Sequence, residues 1–120
     1  MIYLDNAATT MPKPHSVKQA VLHAMDEAAS AGRSAHKPAM RAAEILFDTR
    51  QTAAELFGVE NSCNVVFTGS ATAALNTAIF SMAEHCRHFA ITGMEHNAVV
   101  RPLYFLQQKG IRVTILPTVL

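Results

Sequence analysis

Val65-Val66-Phe67-Thr68-Gly69-Ser70-Ala71-Thr72-Ala73-Ala74-Leu75-Asn76 is the stretch on which the reading of this chain turns. A β-branched and aromatic run suited to a buried strand gives way to alanine-rich sequence suited to a helix. Gly, Ser and Thr stand between them. One reading is a plain turn in which Ser70 or Thr72 caps the helix. The other is a cradle for an anion. In an α/β sheet, ligands settle outside the carboxyl ends of the strands. The first N–H groups of the next helix have no acceptor inside it, and its dipole adds partial positive charge. Gly69 allows close backbone approach, and Ser70 and Thr72 add hydroxyl donors. Together these make a phosphate site at a helix N-terminus. Helix ends share this physics generally, so the stretch alone leaves both readings open.

A second strand-to-helix turn follows in Thr92-Gly93-Met94-Glu95-His96-Asn97. Glu95 and His96 fall at the carboxyl end of the second strand. An imidazole there can stack on an aromatic ligand or shuttle a proton; it can also be a surface histidine or a helix cap. Two such loops on one sheet edge, one suited to phosphate and one offering a flat ring, are more specific than either alone.

The rest of the pattern is consistent with an α/β domain. Residues 1–14 open extended, because Pro12 and Pro14 forbid helix there. Helices are expected over 15–29 and 39–57, the second stopped by Gly58. Strands are expected at 64–67, 89–92 and 112–116, with helices at 71–84 and 98–109. Alternating apolar strands and helices imply a largely parallel sheet. This divides the chain into an extended segment (1–14), two helices and a loop (15–58), and a βαβαβ portion (59–120).

Composition narrows the function. The 120 residues suit one domain, half are hydrophobic and 16% are charged, which excludes a disordered chain. A net charge of +1 with scattered Lys and Arg gives no electrostatic case for nucleic acid or an anionic membrane. No apolar run approaches the roughly 20 residues of a membrane span. The opening Met-Ile-Tyr-Leu-Asp has no basic region of the export type, and Cys63 and Cys86 match no zinc spacing. A cytoplasmic protein with reduced thiols and no metal is expected.

With the two loops, Tyr3-Leu4-Asp5-Asn6-Ala7-Ala8-Thr9-Thr10 at the start, and Gly32-Arg33-Ser34-Ala35-His36-Lys37-Pro38-Ala39 before the long helix, the chain resembles the N-terminal part of the class V aminotransferase family. More narrowly, it resembles that family's cysteine desulfurases. The resemblance covers essentially the whole chain. It implies the large domain of a fold-type I pyridoxal-phosphate-dependent transferase, incomplete here, and a homodimer. It implies that Ser70, Ala71 and Thr72 hold the phosphate of pyridoxal 5'-phosphate. It gives His96 the role of stacking on the pyridine ring and serving as acid or base. Ala8 and Thr9 would lie near the substrate, Asn76 would have a structural role, and Arg33, Ser34 and His36 would approach the active site. In that family L-cysteine becomes L-alanine, an enzyme-bound persulfide forms, and the sulfur passes to an acceptor protein in iron–sulfur cluster or thiocofactor assembly.

Lys13, Lys18, Lys37 and Lys109 match no Schiff-base motif of the family, and neither cysteine matches its catalytic position. The resemblance also places the sheet neighbours of residues 64–67 later in the chain. The expectation is therefore an N-terminal fragment of a longer enzyme, inactive alone. Selenocysteine lyases and small-amino-acid aminotransferases share this N-terminal grammar. Two further readings compete with an enzyme of this family. One is a non-catalytic phosphate-binding module, although the sequence carries no nucleotide fingerprint. The other is an α/β domain whose turns hold caps and no ligand.

Overall fold

The computed structural model describes residues 2–32 and 34–118. They divide into two compact units, Met1–Val65 and Val66–Leu120.

In the first unit, the opening segment is held by local bonds. The Ala8 and Thr9 N–H groups donate to the Asp5 carbonyl, and the Tyr3 hydroxyl donates to the Thr9 carbonyl at 2.7 Å. Helix α1 (His15–Glu27) follows Pro14 and has no side-chain cap. Helix α2 (Lys37–Phe57) begins two residues before the sequence expectation. His36 caps it: its Nδ1 accepts the Ala39 N–H at 3.2 Å, while Pro38 sits in the first turn, where its missing N–H costs nothing. Gly58 ends α2 at φ 66°, a left-handed conformation that favours glycine. Its N–H and that of Val59 close the last carbonyls.

The strand expected at 64–67 does not form. Ser62–Asn64 is instead a short 3-10 turn, capped by the Asn61 side chain, and Cys63 lies inside it rather than at the start of a strand. Val65 is extended but spends its backbone groups locally. Its N–H donates to the Ser62 carbonyl, and its carbonyl accepts the Arg50 Nε–H at 3.0 Å. β-Propensity is a preference for a paired, half-buried surface, and the two-stranded sheet of the described residues does not include this stretch.

The second unit is helix α3 (Ala71–Ala83), strand β1 (His88–Thr92), helix α4 (Asn97–Gln108) and strand β2 (Arg112–Leu116). β1 and β2 pair in parallel, His88 opposite Arg112 and Thr92 opposite Leu116, with α4 as the crossover. Phe89, Ile91 and Val113 face a cluster built from Ile79 and Ala83 of α3, Leu103 and Leu106 of α4, and Ile111. The other face is polar at its start. Arg112 Nη2 donates to His88 Nδ1 at 2.9 Å, and His88 Nε2 meets Thr114 Oγ1 at 2.8 Å, which fixes the register across the strands. Phe80 and Phe105 pack edge to face between α3 and α4.

Leu103 is 2% exposed and central to this cluster. Leu103→Ala is expected to cost about 2–5 kcal/mol, read as a lower urea midpoint. An unchanged midpoint would show that the cluster is not the core.

Candidate functional site

Two helices of the second unit begin with a side-chain cap. Helix α4 follows the carboxyl end of β1, whereas α3 follows residues 64–67, which form no strand. The two turns therefore do not share the sheet edge expected from the sequence. Ser70 is the N-cap of α3, and its Oγ accepts the Ala73 N–H at 3.1 Å. Thr68 Oγ1 donates to the Ser70 carbonyl at 2.8 Å and fixes the turn before it. His96 is the N-cap of α4, and its Nδ1 accepts the Ala98 N–H at 3.1 Å. Both caps that the sequence allowed are therefore real. A cap takes one donor of the first turn, however, and the N–H groups of Ala71 and Thr72 have no acceptor within α3.

Between these helices lies a cleft of about 220 Å³. Thr72 and Asn76, one turn apart on α3, line one side. His96 and Asn97 line the other, with Arg101 one turn further along α4 and Ala98 and Pro102 at the base. No acidic side chain lines it. The dipoles of α3 and α4 and the Arg101 guanidinium all favour negative charge there. Pro102 lacks an N–H, so the Ala98 carbonyl is left without the donor four residues on.

The turn that delivers His96 is tied from inside. Glu95, half-buried, accepts through Oε1 from the Thr92 hydroxyl at 2.8 Å and from the Thr92 N–H at 3.3 Å. The Met94 N–H donates to the same hydroxyl at 3.4 Å. The end of β1 is thereby closed on itself just before the cap.

The structure brings Thr72, Asn76 and His96 into one cleft. Ser70 and Ala71 adjoin it at the start of α3 but are not among its lining residues. Ala8 and Thr9 are exposed in the opening turn of the first unit. In that unit Ser34 is exposed and His36 is the cap of α2, while Arg33 lies outside the described residues. Asn97 and Arg101 do not stand out in the sequence as site residues. A signal was available, since Arg101 follows Asn97 by the four residues of one helical turn.

The donor set suits the phosphate of pyridoxal 5'-phosphate: two N–H groups at the start of α3, the Thr72 hydroxyl, and no competing carboxylate. An imidazole on the facing helix suits a flat ring. Among the described residues, no group of three His, Cys, Asp or Glu is gathered to hold a metal, and no helix is long and apolar enough to cross a membrane.

Comparison with known proteins follows the same line. The sequence model of the family described as aminotransferase class-V matches residues 2–119. A "probable cysteine desulfurase" of Mycolicibacterium paratuberculosis is 35% identical over 114 residues, which are 91% of this chain and 16% of that protein. A "NifS/IcsS protein homolog" of Lactobacillus delbrueckii subsp. bulgaricus is 34% identical over 98% of this chain and 31% of its own length. "Cysteine desulfurase IscS" of Dictyoglomus turgidum is 29% identical over 97% of the chain and 30% of its own length. The chain thus spans less than a third of the curated relatives it matches here.

Breaking the Thr92–Glu95 tie should loosen the approach to His96. In a double-mutant cycle, Thr92→Val and Glu95→Ala are expected to be non-additive by about 0.5–1 kcal/mol. The Met94 amide should exchange faster in either variant. Strict additivity would remove the tie from the account.

Proposed function

We infer the function from one premise: the chain belongs to the aminotransferase class-V family. The family and the cysteine-desulfurase relatives support a pyridoxal-phosphate-dependent parent enzyme. We propose that its reaction is desulfuration of L-cysteine to L-alanine. The sulfur would be held as an enzyme persulfide and donated to iron–sulfur cluster or thiocofactor assembly. The observation that carries the site assignment is Thr72 and His96 lining one donor-rich cleft between two helix N-termini.

In this reading the Ala71 and Thr72 N–H groups and the Thr72 hydroxyl bind the cofactor phosphate, with Ser70 shaping the turn. His96 would offer its flat ring to the pyridine ring. Arg101 holds the cleft electropositive. Bound there, the cofactor supplies an electron sink for the substrate's α-carbon. Ala8 and Thr9 belong to the substrate side, and the fold is the large domain of a fold-type I transferase acting as a cytoplasmic homodimer.

The cofactor-anchoring lysine is proposed to come from sequence other than these 120 residues. Lys109 closes the far end of α4, packing its Nζ 4.5 Å from the Phe105 ring centre. The rise of the helix separates it from the His96 cap by about 20 Å. The pyridine partner, substrate-carboxylate arginine and catalytic cysteine are assigned outside the chain in the same way. Cys63 is exposed in its 3-10 turn and Cys86 is half-buried after α3; neither lines the cleft.

The full-length protein carrying this sequence is expected to release sulfide and alanine in equal amounts from L-cysteine with a thiol reductant. Transamination without sulfide would move the assignment to a small-amino-acid aminotransferase, and preference for selenocysteine would move it to a lyase of that substrate. Thr72→Val should weaken pyridoxal phosphate binding about tenfold, the worth of one hydrogen bond to a charged group. Unchanged affinity, measured by absorbance titration, would remove Thr72 from the phosphate site.

A further inference from the structure

His96 meets the cleft with one ring nitrogen already committed. Its Nδ1 accepts the Ala98 backbone N–H at 3.1 Å. A ring nitrogen that accepts an N–H carries no proton, so the neutral imidazole holds its proton on Nε2. From this we infer that the Ala98 N–H is a positioning group that fixes the His96 tautomer. While the α4 cap is closed, His96, which lines the cleft, carries its proton on Nε2.

The consequence is a restriction on chemistry. To act as a base through Nε2, the ring needs its lone pair there and its proton on Nδ1. Nδ1–H and the Ala98 N–H would then point at each other, two donors with no acceptor. To act as an acid, the ring must carry protons on both nitrogens, and the same contact is lost. Either role therefore requires the cap to open first. With the cap closed, His96 offers a flat ring and a donor. The ligand atom that it meets through Nε2 is an acceptor, such as an anionic or carbonyl oxygen.

The surroundings agree. Arg101 can only donate, Thr72 offers a hydroxyl, and no carboxylate lines the cleft to compete for Nε2–H. The turn before His96 is held by the Glu95–Thr92 bonds, so the ring's backbone is fixed on one side and its Nδ1 on the other. The tautomer follows from the cap geometry alone. Its meaning for catalysis rests on the proposed reading of the cleft as a cofactor site.

The test is nuclear magnetic resonance on the protein labelled with ¹⁵N-histidine, free of cofactor. His96 is expected to show the Nε2–H pattern, with Nδ1 unprotonated. An Nδ1–H pattern, or an averaged mixture of the two tautomers, would overturn the inference. A second measurement uses His96→Phe, which keeps a flat ring and removes the acceptor. Exchange of the Ala98 amide is expected to rise about five- to tenfold. No change would mean that Nδ1 does not hold that N–H. Titration of the unsubstituted protein with pyridoxal phosphate separates the two claims. A fixed tautomer without cofactor binding sinks the proposed function and leaves this inference standing. Binding with a mixed tautomer does the reverse.

Discussion

The unpaired N–H groups at the starts of α3 and α4 are the constraint from which the second unit is best understood. Every helix leaves its first donors without internal acceptors. Here Ser70 and His96 each satisfy one of them, at Ala73 and Ala98. Thr72, whose N–H has no acceptor within α3, lines a cleft that holds an arginine and no acid. An anion at this place would complete the hydrogen bonding that the helices begin. The parallel pair of β1 and β2, with α4 as crossover, serves that end. It delivers the His96 cap straight from the carboxyl end of a strand.

Packing keeps the two helix starts in register. α3 and α4 share the Ile79, Ala83, Leu103 and Leu106 cluster. Thr72 and Asn76 on one helix therefore stay opposite Asn97 and Arg101 on the other. The Arg112–His88–Thr114 chain on the opposite sheet face adds a polar lock between the strands. The first unit is organised differently. Its buried helical residues are all alanines (Ala39, Ala42 and Ala54), and its order owes much to local bonds and the caps of α2.

Much of this was legible in the sequence, for identifiable reasons. The helices and the two paired strands followed from periodicity, because each completes its own pattern within a few residues. Residues 64–67 read as a strand and form none, because a ladder depends on a neighbour that local sequence does not encode. The capped helix starts near which Thr72 and His96 line the cleft were legible from the turn-to-helix pattern. Arg101 was not, since its place in the cleft depends on how α3 packs against α4. Asn97, read as preceding the helix, became its first residue once His96 took the capping role. That role commits Nδ1 of the ring to the Ala98 N–H, which a motif alone could not show.

The most direct test of the central claim compares pyridoxal 5'-phosphate with pyridoxal in equilibrium titrations of the protein. One saturable site for the phosphate ester is expected. Pyridoxal should bind at least about tenfold more weakly, because it forfeits one or more charge-assisted hydrogen bonds to the start of α3. Equal affinity for the two would mean that the helix termini hold no phosphate, and the assignment of this cleft would fail.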